Sequence, residues 1–130
     1  MGESRHLINN GNITWNGGNI LSCNGGFFTN NQLVTITNNN GFYTQCTGGT
    51  VLTIQNNGTI EKTSNGTSGI NTYSPFTNTG FIKGIGTYHL DNVNFAQNGT
   101  IAPGNPIGQL AFNGRLPLST GSTLQIELQS

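Results

Sequence analysis

The sequence predicts an all-β protein: a right-handed parallel β-helix of about five to six coils, each of roughly 22 residues. Three observations carry that expectation. Helix signals are missing, since Ala occurs only at Ala96, Ala102 and Ala111 and no window shows apolar residues at three-to-four spacing. Short stretches alternate instead, as in Leu33-Val-Thr-Ile-Thr, Val51-Leu-Thr-Ile-Gln and Leu124-Gln-Ile-Glu-Leu, with Asn-Gly, Gly-Gly and Asn-Asn turns between them. The third observation is a seven-residue pattern, apolar, any, Asn, Asn, Gly, any, apolar, that returns along the chain.

The copies are, in order, Leu7-Ile-Asn-Asn-Gly-Asn-Ile13, Phe28-Thr-Asn-Asn-Gln-Leu-Val34, Ile54-Gln-Asn-Asn-Gly-Thr-Ile60, Phe76-Thr-Asn-Thr-Gly-Phe-Ile82 and Phe95-Ala-Gln-Asn-Gly-Thr-Ile101. A weaker sixth copy is Leu118-Ser-Thr-Gly-Ser-Thr-Leu124, and the first positions advance by 21, 26, 22, 19 and 23 residues. Each copy reads as one rung: a strand ending at the first apolar residue, a sharp corner at Asn-Asn-Gly, and a second strand starting near the last apolar residue. Asn and Gly tolerate left-handed backbone angles at least cost, which predicts their use at the corner. The apolar ends Leu7, Phe28, Ile54, Phe76 and Phe95, with Ile13, Val34, Ile60, Ile82 and Ile101, are the expected core.

Stacking the rungs places Asn9, Asn30, Asn56, Asn78 and Gln97 at one corner, one above the other. Rungs sit about 4.8 Å apart, so each amide NH₂ reaches the next amide oxygen and a ladder of hydrogen bonds is expected. Other repeat folds fit less well: leucine-rich repeats need a Leu-x-x-Leu-x-Leu frame, and hexapeptide coils need a strict six-residue beat. A β-sandwich is the remaining alternative, because its strands also alternate between Gly- and Asn-rich turns. Residues 1–6 read as an N-terminal tail or cloning remnant, and residues 7–130 as one solenoid domain, a fragment of a longer repeat region.

The segment from Ile101 to Leu128 contains Pro103, Gly104, Asn105, Gly108, Leu110 and Gly114, then Gly121, Ser122, Thr123, Leu124 and Glu127. This spacing resembles a stretch common in the passengers of bacterial autotransporters and related secreted β-helical adhesins, with Pro106 where that pattern has Ser. The resemblance covers about the last thirty residues and is compositional before them. It implies secretion to the extracellular space or cell surface and a role as stalk or adhesive surface, and it brings no catalytic residues. Residues 1–6 lack the apolar stretch of a signal peptide, so the signal of an exported chain is expected to have been removed or to lie outside this segment.

Charge narrows the functional classes. Four Lys or Arg against four Asp or Glu, 6% in all, cannot neutralise a phosphate backbone, which excludes nucleic acid as a main partner. No apolar run approaches the ~20 residues of a spanning helix, so no direct membrane insertion is expected. Glu61 and Lys83 follow the last apolar residue of successive rungs and should stack as an exposed ion pair. An enzymatic reading would gather Glu61, Lys62, Lys83, Asp91 and Arg115 into a cleft that cuts polysaccharides, but such sites need several carboxylates, as calcium ligands or as an acid and base pair. No cofactor or metal set is expected. His6 and His89 have no Ser or Asp at catalytic spacing and read as ordinary polar residues.

Cys23 and Cys46 are one repeat apart and could meet on adjacent rungs, as a disulfide in an exported chain or as two buried thiols. Ice binding would need an unbroken threonine row, whereas the register of Thr14 and Thr35 continues into Glu61, Lys83 and Ala102. The leading expectation is therefore a non-enzymatic structural or adhesive segment of a secreted or cell-surface protein. Its neutral amides and hydroxyls would meet a glycan or cell surface, and Trp15, Tyr43, Tyr73 and Tyr88 are the candidate rings for stacking on sugars. The alternatives are a fragment of a polysaccharide lyase or hydrolase, and a filament subunit associating end to end.

Overall fold

The computed structural model describes residues 5–22, 25–44, 51–69, 74–90, 94–104 and 107–128. Rung 1 consists of β1 (His6–Asn9), β2 (Asn12–Trp15) and β3 (Ile20–Ser22), and rung 2 of β4 (Phe27–Asn30), β5 (Leu33–Ile36) and β6 (Phe42–Thr44). Rung 3 holds β7 (Thr53–Asn56), β8 (Thr59–Lys62) and β9 (Thr67–Gly69), and rung 4 holds β10 (Pro75–Asn78), β11 (Phe81–Gly84) and β12 (Gly86–His89). Rung 5 follows with β13 (Asn94–Gln97), β14 (Thr100–Pro103) and β15 (Leu110–Asn113), and β16 (Thr123–Leu124) opens a sixth. The described residues contain no helix.

The first strands of the rungs form a five-stranded sheet, β1-β4-β7-β10-β13, and the second strands a six-stranded one, β2-β5-β8-β11-β14-β16. The third strands form two separate sheets, β3-β6 and β9-β12-β15. Among the described residues every strand-to-strand pairing is parallel, which makes the protein a parallel β-solenoid and removes the β-sandwich alternative. The registers match the sequence repeat residue for residue, for instance Phe28 on Ile54 and Val34 on Ile60. Strands paired on both edges need continuous inward apolar positions, and the alternation supplies one every second residue.

Phe28, Ile54, Phe76 and Phe95 are buried in one column and Val34, Ile60, Ile82 and Ile101 in another, as the repeat requires. Phe76 and Phe95 stack with ring centroids 4.7 Å apart. Leu7 and Ile13 differ: on the first described rung Leu7 is 50% exposed and Ile13 is only partly buried, since each has a paired rung on one side alone among the described residues. β1 also begins at His6, the last residue of the expected tail, because the carbonyl of Arg5 already accepts from Phe27 N.

The corner is tighter than the sequence suggested. The first strands run through the ladder amide, so only two residues, such as Asn10-Gly11 or Asn57-Gly58, separate them from the next strand. Its glycines are also there for another reason than a left-handed backbone. Positive φ occurs at Gly18, Gly25, Gly84, Gly86, Gly104 and Gly114, none of them at this corner. A Cβ at Gly58 would collide with Gln32 O, one at Gly80 with Gly58 O, and one at Gly99 with Gly80 O. At Gly58, Gly80 and Gly99 glycine is required because each corner stacks on the backbone of the one before it; the first two corners, Gly11 and Gln32, are outside that constraint.

The sixth copy is the other departure. Leu118 pairs with Gln97 and Leu124 with Ile101, so this corner carries two residues more than its predecessors. Leu118, and not a further amide, therefore stands over the end of the ladder.

Candidate functional site

Two features of the solenoid hold the candidate side chains: the ladder corner inside and the outer face of the six-stranded sheet. In the ladder, Asn9 Nδ2 donates to Asn30 Oδ1 (2.7 Å), Asn30 Nδ2 to Asn56 Oδ1 (2.7 Å), Asn56 Nδ2 to Asn78 Oδ1 (2.6 Å) and Asn78 Nδ2 to Gln97 Oε1 (2.8 Å). All five amides are buried, as the sequence predicts. The second amide hydrogen bonds backbone: Asn9, Asn30 and Asn56 donate to Leu33 O, Thr59 O and Phe81 O of the next rung, each at 3.0 Å. Gln97 ends the series, donating to Gly99 O at 2.9 Å, while Ser119 Oγ and Ser122 Oγ donate to its own carbonyl at 2.8 and 2.6 Å.

A second, exposed ladder runs beside the first and was not anticipated. Asn31 Nδ2 donates to Asn10 Oδ1 and Asn57 Nδ2 to Asn31 Oδ1, both at 2.8 Å, and Thr79 Oγ1 donates to Asn57 Oδ1 at 3.0 Å. The second Asn of each Asn-Asn pair was the signal for it.

On the outer face of the six-stranded sheet, Thr14, Thr35, Glu61, Lys83 and Ala102 share one register row, which confirms the break in the threonine array. Lys83 Nζ lies 3.5 Å from Glu61 Oε1, the predicted pair, with the carboxylate much less exposed than the ammonium. The neighbouring row carries Phe81, paired in register with Thr59 on one side and Thr100 on the other. Phe81, Thr59, Lys83, Pro103, Gln125 and Glu127 border a groove of about 380 Å³ on this face.

Several residues considered for a surface site are in the core. Lys62, offered for a polysaccharide-cutting cleft, is wholly buried at the inward position that holds Trp15 and Ile36 on earlier rungs. Its Nζ donates to Asn38 O (2.9 Å), Asn39 Oδ1 (3.3 Å) and Ser64 Oγ (2.5 Å), and burial lowers its pKa. Trp15 and Tyr88, offered as sugar-stacking rings, are buried too. Trp15 packs edge-on against Phe42 at 4.9 Å, with its Nε1 donating to Gly18 O at 2.7 Å, and Tyr88 stacks on Phe112 at 5.8 Å. Burial, and then the Glu61 charge, push the Tyr88 phenol well above its ordinary pKa.

Of the four candidate rings, Tyr43 is partly buried and Tyr73 lies outside the described residues, as do Cys23, Cys46 and Asp91. Among the described residues the exposed Phe, Tyr and Trp rings are Phe27 and Phe81. Alternation alone points them outward, since each precedes or follows an inward residue by one, and that was the signal available for finding them. His6 is an ordinary polar residue in the structure: its Nε2 is 2.8 Å from Thr29 Oγ1 and its ring lies 5.5 Å from Phe27. Among the described residues no group of three His, Cys, Asp or Glu is placed to hold a metal ion. No family model, curated protein or solved structure matches the chain.

Proposed function

We propose that the chain is a non-enzymatic, rigid structural and adhesive segment of a secreted or cell-surface protein. The observation that carries this reading is the continuous amide ladder, which bonds each rung to the next along the axis beside unbroken parallel sheets. Such a column resists shear between rungs and lengthens by one rung per repeat, which is what a stalk needs. The charged side chains also support it: Lys62 braces the core, and Glu61 and Lys83 neutralise each other. The resemblance of residues 101–128 to autotransporter passengers supports the same reading and suggests an extracellular address.

The test is antibody labelling of the source cells against this segment. Labelling of intact cells, removed by external protease, is expected. Labelling only after permeabilisation would overturn the reading, and release of reducing ends from pectin or alginate by the purified chain would overturn its non-enzymatic part.

A second reading, end-to-end self-association, is supported by apolar residues exposed on the first and last described rungs. Leu7 opens into a cavity of about 230 Å³ lined with Ile13, Trp15, Ile20, Phe28 and Val34, and Leu124, Ile126 and Leu128 are exposed at the other end. Sedimentation velocity distinguishes it: association that grows with concentration and disappears in Leu7→Lys supports the filament reading, and a monomer throughout removes it.

A further inference from the structure

We propose that the groove floored by Phe81 on the outer face of the six-stranded sheet is a binding subsite for a neutral sugar ring. The proposal rests on the adhesive part of the reading above and moves it to residues that the sequence alone did not select. An exposed large ring in the middle of a paired sheet is unusual, and Phe81 is 45% exposed. Its register partners are Thr59 and Thr100, so a hydroxyl-bearing residue lies one rung away on either side. Two residues along the strand, on the same face, is Lys83 with its Glu61 partner. Gln125 and Glu127 border the groove from the last rung.

This combination has the chemistry of a pyranose site. The C–H face of a sugar packs on a flat aromatic ring, while its edge hydroxyls need donors and acceptors at the rim. A purely apolar ligand would cover the ring but strip water from Thr59, Gln125 and Glu127 without replacing it. Charge selects among sugars. Glu61 neutralises Lys83, and Glu127, which has no ion pair among the described residues, adds negative charge to the rim, so the groove repels carboxylated sugars such as uronates and accepts neutral ones. Phe27, the other exposed ring, is partnered by His6 at 5.5 Å and provides the control.

The experiment is ligand-observed NMR on the whole chain, with maltotriose, chitotriose and tri-galacturonate as probes at millimolar concentration. Saturation transfer to at least one neutral trisaccharide is expected. The same sugar should shift the amides of Phe81, Lys83 and Gln125. Phe81→Ala should weaken binding about tenfold or more, the usual consequence of removing an aromatic anchor, and Phe27→Ala should not. Glu127→Lys should bring in tri-galacturonate. The proposal falls if neither neutral sugar receives transfer, if the shifts map elsewhere, if folded Phe81→Ala binds as before, or if the unmodified chain prefers tri-galacturonate. Each of these outcomes is read on purified protein and is independent of where the chain resides on the cell, so loss of the subsite and loss of the surface reading are separate results.

Discussion

Two corners border the six-stranded sheet, and both bury polar side chains by different means. At the first, the same amide recurs on five rungs and each member bonds the next, so the repeat itself satisfies the polar groups. At the second, Trp15, Ile36, Lys62 and Gly84 occupy equivalent inward positions, and the one polar member is held by a local cage from Asn38, Asn39 and Ser64. The comparison teaches that a solenoid can bury polarity through translation along its axis or through a single-use arrangement. The first is redundant in sequence and rigid in geometry; the second depends on one rung.

The largest expected effect comes from breaking the translation. Asn56→Leu removes the acceptor of Asn30 Nδ2 and the donor to Asn78 Oδ1, both fully buried. Asn30 Nδ2 keeps Gln32 O and Thr59 O, both at 3.0 Å, so one orphaned oxygen at about 1–3 kcal/mol and one lost buried bond at about 1 kcal/mol predict a loss of about 2–4 kcal/mol in urea unfolding. Outward Thr77→Leu should stay within about 0.5 kcal/mol. Equal midpoints for the two variants would mean that the ladder is decorative.

The corner glycines sharpen the same contrast within one column. Gly80→Ala drives a methyl against Gly58 O and Asn57 C, backbone atoms that cannot swing away, and should cost about 2–3 kcal/mol. Gly11→Ala, at the open end, meets nothing within 4 Å and should be neutral or slightly stabilising. Similar losses at both positions in thermal melts would show that backbone freedom, and not stacking, selects glycine here.

These differences mark what was legible in the sequence. The ladder, the two core columns and the Glu61–Lys83 pair follow from translation, so a one-dimensional repeat displays them directly. The exposed Asn10-Asn31-Asn57 ladder is equally repetitive and was passed over because the buried one already explained the pattern. Residue type leaves the direction of Lys62, Trp15 and Tyr88 open, whereas their rung neighbours decide it. Ile36 in register with Lys62 was the available clue. The shift of Leu118 onto Gln97 was hidden because the sixth copy keeps its outer apolar residues while its corner gains two.

The cage around Lys62 should be visible as a pH dependence. Its pKa in the folded state lies below the ordinary value of 10.5, so between the two values the unfolded chain binds more protons. Stability should therefore rise with pH across that window, and Lys62→Met should flatten the slope. Net stability of Lys62→Met should stay within about 1 kcal/mol of the unmodified chain, since the methionine fills similar volume and removes the desolvated charge, while Asn39 Oδ1 loses a donor. Urea midpoints measured from pH 7 upward test both statements, and an unchanged slope in the variant would assign the dependence elsewhere.

Tyr88 gives the smallest effect and the opposite sign in pH. Its hydroxyl is buried with no hydrogen-bond partner among the described residues, so the fold carries an uncompensated desolvation that no repeat and no cage relieves. Its raised pKa means that the folded chain keeps the proton after the unfolded chain has released it near pH 10, so stability falls above that point. Tyr88→Phe keeps the ring on Phe112 and deletes the orphan hydroxyl, and it should be neutral or stabilising by up to about 1 kcal/mol at pH 7. The same variant should lose the decline above pH 10, leaving only the rise due to Lys62. A destabilised Tyr88→Phe would mean that the hydroxyl has a partner in solution, and the third face would then contain a second single-use polar contact like the Lys62 cage.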